Sequence, residues 1–364
     1  MNLEIFDKPA RTTAFKKNIS HLASNWKRTK RAVGGYWTGT FDVKKGSMLE
    51  WTDFYNTWIG NVIKETTYGI ISWEGLIWQV DLVKNGINYR RTLDPALWHN
   101  RVKVFYTDAG GVQQIDDWDE NTSSSDIYGE MEQIYSMGGL SSAGAAALQA
   151  RVLASYAWPV SRTAGGITVG AGKSRSNSDG LYVTAAGFWS TLNWQYYESS
   201  ITATAANTAL GTLIAASEFV TAGRVDANSL SINSEGGTIP QRVGDLVGGI
   251  IEQGDASGNV WKGGVYAGKK FNYEQAPTTI DYTYRDGILY DKAGGIVTPE
   301  LLEPGFYVRD TNAPTGTQPP GTSNIWDDPQ VSYCDEVEFQ APNVLRLSFT
   351  DQEERIEVLL DAAG

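Results

Sequence analysis

A chain of 364 residues with 39 Gly, 13 Trp and 18 Tyr, its apolar runs short and broken by Gly, Asn, Asp and Ser, favours antiparallel β-structure with tight turns over a helical bundle, and two or three domains over one. Cys334 is the single cysteine, which excludes an intrachain disulfide and a multi-cysteine metal site; with no apolar leader in MNLEIFDKPARTTAFKKN and no run approaching ~18 apolar residues, folding in a reducing cytoplasm without a membrane span is expected. The net charge of −12 is uneven: residues 1–45 hold 10 Lys/Arg against Glu4, Asp7 and Asp42, whereas from Trp326 onward ten acidic residues stand beside only Arg346 and Arg355. A basic arm and an acidic tail suit head-to-tail contact between copies or with another ring of subunits, next to the plainer reading of solvated surface charge.

Trp26, Lys27, Arg28, Lys30 and Arg31 place basic residues around an aromatic, ahead of a strand in GGYWTGTFDV. Phosphates need Lys or Arg and bases stack on indole, but an acidic chain repels a polyanion. An exposed strand edge, where Lys discourages edge-to-edge pairing, is the expected role, and these five residues are interface candidates. Residues 47–63 predict a short helix carrying Leu49, Phe54, Trp58 and Ile59 and ended by Gly60. From Gly69 to Tyr106, Leu76, Trp78, Val80 and Leu82 alternate with Ile77, Gln79 and Asp81, and Val102, Val104 and Tyr106 alternate again, which predicts strands joined by turns. Trp73 and Trp78 fall on opposite faces by period-two geometry, one for the core and one for a subunit contact.

Asp117, Asp119 and Asn121 match the first three ligand positions of a calcium loop and are the one metal candidate, although Thr122 replaces its turn glycine and Tyr128 its bidentate glutamate. Ser141 to Ala157 predicts a capped helix with Leu148, Val152 and Tyr156 as its stripe, stopped by Trp158-Pro159. The Gly/Ser-rich stretch 161–180 marks a domain boundary; its Gly172-Lys173-Ser174 ends like a phosphate loop, but Ile167 stands where the first glycine belongs. Aromatics from Tyr182 to Tyr197 predict core. Helices follow at 203–217 and 241–253, then a hairpin around GGVYAG, so an α+β unit is expected. Asp281 to Tyr290 and residues 345–360 read as further strands, the latter a hairpin, with a Pro/Gly/Thr loop at 312–321. The loops at 161–180 and 312–321 are expected to order only on assembly. Three segments result: 1–160, 161–275 and 276–364, the last returning to pack on the first.

Only His21 and His99 are available as histidine bases, and His99 reads as structural. Carboxylate pairs leave a glycosidase as a residual reading. Exposed Trp189 or Trp194 would instead serve a glycan-binding sandwich. No cofactor is expected.

Several segments together resemble minor tail proteins of long-tailed bacteriophages and prophages, of the tail-tip, baseplate-hub or distal-tail kind. They are WEGLIWQV at Trp73 to Val80, LDPALWHNRVKVFYTD at Leu93 to Asp108, and DIYGEMEQIYSMGGLSSAGAAALQARVLASYAWP at Asp126 to Pro159. GDLVGGIIEQGDASGNVWKGGVYAGKKFNYE and YDKAGGIVTPELLEPGFYVRD follow in the same order, so the likeness spans about Gly34 to Asp310. The resemblance implies tube-like antiparallel β-barrel or sandwich domains with a few short helices, in a structural virion protein without enzymatic turnover. It implies a ring of copies, assembled in the host bacterial cytoplasm, that joins the tail tube to neighbouring tail-tip or baseplate proteins and lets phage DNA pass. There is no peptidoglycan-cleaving motif and no fibre repeat.

Overall fold

The computed structural model describes residues 2–9, 14–159, 162–163, 179–234, 240–313, 330–341, 344–349 and 352–359. The protein is mainly β, an α+β fold in which one large sheet curls into a half-barrel. At its centre lies the strand Ile70–Lys84. Along one edge it pairs with Val62–Thr67 and then Ile87–Thr92, and along the other with Gly180–Gly187. Two of these joints are two-residue loops, Tyr68-Gly69 and Asn85-Gly86, and a third, Asp286-Gly287, joins Ile280–Arg285 to Ile288–Asp291. Both residues of each loop have positive φ, the geometry that matches strand twist and favours Asn, Asp and Gly. Tyr68, at φ 51°, is the exception in residue type.

The central strand does not keep strict alternation. Opposite Thr184 and Ala185 its register passes from Gln79 to Ile77, leaving Trp78 as the extra residue of a β-bulge. The bulge re-aims that side chain. Trp73 is fully buried 5.6 Å from Trp26, and Trp78 packs against the same core with its ring 6.1 Å from Trp194. Trp73 is thus the core member of the pair, while Trp78 packs on the same core and stays partly exposed.

The helices cover this sheet and a smaller one. Helix α1 (Met48–Thr57) starts in a capping box, where Ser47 and Glu50 satisfy each other's backbone N–H groups, and buries Trp51, Phe54 and Tyr55 while Leu49 stays exposed. In the smaller sheet Arg101–Thr107 runs parallel to Glu132–Gly138, reached by way of helix α2 (Thr122–Tyr128). Helix α3 (Ser142–Tyr156), capped by Ser141, lays Ala145, Val152 and Leu153 on the face bearing Val102, Val104 and Tyr106. Helices α4 (Ala206–Ala215) and α5 (Val243–Glu252) bury Leu210, Leu213, Val247 and Ile251 in the main core. Among the described residues four pairings run parallel, so the sheets are not purely antiparallel.

The division expected at 160/161 does not separate packing units. Gly180–Gly187 lies between Val33–Val43 and the central strand, and one core runs from Leu3 to Tyr273. A second core gathers Leu289, Phe306, Val308, Val337, Leu345 and Leu347. The strand Val331–Gln340 ties this C-terminal unit to the strand Ala23–Arg31. The Gly-Lys-Ser sequence at 172–174 and most of the 161–180 and 312–321 loops fall outside the described residues.

Candidate functional site

The basic cluster sits on Ala23–Arg31, which pairs with Val33–Val43 on one side and Val331–Gln340 on the other. It is an interior strand, and the expected exposed edge is corrected. The acidic strand supplies the counter-charges. Arg31 Nε is 2.8 Å from Glu336 Oε2, Lys27 Nζ is 2.6 Å from Glu338 Oε2, and Arg346 holds the same carboxylate at 2.7 Å. Alternation turns Arg28 and Lys30 the other way, to about 1% exposure, where Arg28 pairs with buried Glu65 and donates to the Glu300 carbonyl. Lys30 Nζ donates to the Leu302 carbonyl at 3.1 Å; burial, with Arg28 adding repulsion, lowers its pKa to about 7.

Of the seven interface candidates, Trp26, Arg28, Lys30 and Trp73 are thus buried, Trp78 is packed on the core, and Lys27 and Arg31 reach solvent while ion-paired. The basic and acidic segments meet within one chain. A contact that buries these charges between copies is not needed to neutralise them.

The calcium candidate is not assembled. Asn121 uses its side-chain oxygen to cap α2 at Ser124 N, and Asp119 accepts from Glu120 N. Among the described residues no group of three or more His, Cys, Asp or Glu is placed to hold a metal ion. Trp194 is buried against Trp78, Trp98 and Phe219, and Trp189 stacks on Phe271, so neither offers an open ring face to a sugar.

His99 is buried and stacked on Tyr156 at 5.0 Å. Its Nδ1 lies 3.2 Å from the Pro95 carbonyl, which can only accept, so Nδ1 carries the proton and Nε2 accepts from the Tyr135 hydroxyl at 3.0 Å. Burial holds its pKa below the ordinary value. Both nitrogens are engaged, as befits a structural histidine. Nearby, burial raises the Glu132 carboxyl to about pKa 7 against hydrogen bonds from Tyr196 N at 2.7 Å and Arg101 at 2.8 Å. Arg242 donates to the Glu132 and Asn193 carbonyls and to Gln133 Oε1, which locks the small sheet to the start of α5.

Two hollows flank that start. One of ≈ 520 Å³ is bounded by Asp94, His99, Tyr135 and Arg242; the other, a groove of ≈ 1360 Å³, runs between α5 and the acidic strand, and both include Asn193 and Asp245. Trp37, Trp189, Trp261 and Tyr333 contribute to the groove walls, and Gly248 and Gly249 keep the α5 side low. Of these residues the sequence points only to Trp189, as a glycan contact. The available signal was GDLVGGIIE, in which Asp245 and Glu252, seven apart, share a helix face with small residues between them. No family model matches this chain, and no curated protein matches it.

Proposed function

We propose that this chain is a structural subunit of a bacteriophage tail, of the tail-tip, baseplate-hub or distal-tail kind, that assembles as a ring joining the tail tube to distal components. The observation that carries the reading is the order of the five segments resembling that family, together with their place in the fold. WEGLIWQV forms the centre of the main sheet, and the segments from Leu93 to Pro159 build the small sheet and α3 beside it. A sheet that curls into a half-barrel supports the same reading, since neighbouring copies can continue its curvature around an axis. A net charge of −12 would let DNA pass without adhering.

The test is the assembled state. Purified protein examined by native mass spectrometry and electron microscopy should give rings of one copy number, and virions should contain the chain. A strict monomer at high concentration, together with absence from particles, overturns the proposal.

A further inference from the structure

Two buried cations beside one buried anion hold the C-terminal unit against the main core. Arg28 and Lys30 lie on one face of the strand Ala23–Arg31, each about 1% exposed, and Glu65, fully buried on Val62–Thr67, is taken by Arg28. Lys30 has no carboxylate of its own among the described residues: its Nζ donates to the Leu302 carbonyl at 3.1 Å and lies 5.3 Å from the centre of the Tyr36 ring. The segment it holds is short. Leu301 N and Leu302 N bond within one turn, to the Thr298 and Pro299 carbonyls, and Gly305 N bonds the Cys334 carbonyl of its own unit. Among the described residues, the hydrogen bonds that tie 299–305 to the main core are therefore those from Arg28 to the Glu300 carbonyl and from Lys30 to the Leu302 carbonyl.

We propose that Lys30 is a proton-operated latch: with its amine neutral, residues 299–305 lie closed on the main core, and its protonation opens that segment locally. A neutral amine satisfies the Leu302 carbonyl without a counter-ion, whereas an ammonium in the same place is a charge cut off from water beside a second cation. The groups around Lys30 do not supply the missing anion. Arg28 on its own strand repels it; Tyr36 on Val33–Val43, with Tyr266 packed behind it, is a phenol whose pKa burial raises; Glu303 in the segment attracts but is exposed. Glu300 lies nearer Arg28, and Glu336 and Glu338 on the facing strand are held by Arg31 and Lys27 on the opposite face. Opening moves one short segment and lets water reach the ammonium, while the paired strands on either side stay in place. Burial, with Arg28 adding repulsion, puts the closed-state pKa at about 7 against 10.5 in water, so the open form binds the extra proton between these values. Opening therefore becomes rarer as pH rises through that window, and needs no second copy of the chain.

Hydrogen–deuterium exchange of the full chain, read on peptides spanning residues 300–306 and corrected for the intrinsic pH dependence of amide exchange, tests the latch. From pH 9 to pH 7 the opening equilibrium of this segment should rise about fifty-fold, as the two pKa values require, while peptides from the central strand Ile70–Lys84 change less than about twofold. Lys30→Met fills the same space without taking up a proton and should cut the rise to less than about threefold. Glu132→Gln, which removes the other buried group with a pKa of about 7, should leave the rise intact. Circular dichroism verifies that the variants are folded, and the parent protein at the two pH values decides the matter even without them. Equal corrected protection at both pH values, a rise shared by the central strand, a rise that survives in Lys30→Met, or one lost in Glu132→Gln each overturns the proposal.

Discussion

Glu65→Gln is the most direct probe of how the two ends of the chain are joined. Glu65 is fully buried and pairs with Arg28, which is 1% exposed, so the substitution leaves a guanidinium inside the protein without its counter-charge. Breaking a buried pair from one side costs about 3–5 kcal/mol. Arg28 keeps its bond to the Glu300 carbonyl and its place 4.9 Å from the centre of the Phe339 ring, which moves the expectation to the lower end, about 3 kcal/mol. The double variant Arg28→Met, Glu65→Leu removes both charges into an apolar setting and should return to within about 1 kcal/mol of the parent, or exceed it. Urea denaturation followed by circular dichroism measures all three proteins, with an unchanged m-value as the check on two-state unfolding. A loss of less than about 0.5 kcal/mol for Glu65→Gln would mean that water reaches Arg28 in solution and that the seam between the basic strand and the C-terminal unit is open, refuting the reasoning.

Two buried titratable groups predict how stability varies with pH. Glu132 has a folded pKa of about 7 against an ordinary 4.5, so the folded state binds the extra proton and stability falls as pH rises from 4.5 to 7. Lys30 has a folded pKa of about 7 against 10.5, so the unfolded state binds the extra proton and stability rises from pH 7 to 10.5. Each slope is at most about 1.4 kcal/mol per pH unit; Glu132→Gln should flatten the first window and Lys30→Met the second, measured by urea titration across pH. Tyr68→Asn should stabilise by about 0.5–1 kcal/mol, because Tyr68 holds φ 51° in a two-residue turn while its ring is 77% exposed and contributes little packing. A lower melting temperature for that variant would contradict the turn geometry.

What the chain states locally came through. Ser141 announces the start of α3, and the alternation of Val102, Val104 and Tyr106 announces a half-buried strand, whereas the stretch from Asp281 to Tyr290, expected as one strand, is two strands joined at Asp286-Gly287. Each of these depends on residues a few positions apart, where backbone preference and side-chain period act directly. The mainly β fold with added helices follows from the same local signals.

Tertiary structure decided the rest, because it depends on which strands lie side by side. Nothing within residues 26–31 says that an acidic strand some 300 positions later will neutralise Lys27 and Arg31, or that Arg28 will find Glu65 in the interior. Period-two reasoning fails at Trp78 for the same cause: one unpaired residue opposite Thr184 and Ala185 shifts the register and brings Trp78 against the core that buries Trp73. The groove beside α5 exists only where the helix, the strand Trp261–Tyr266 and the acidic strand converge. Local sequence determined which segments would be strands and helices. The register of sequence-distant strands determined which of their charges are buried, which are paired and which stay exposed.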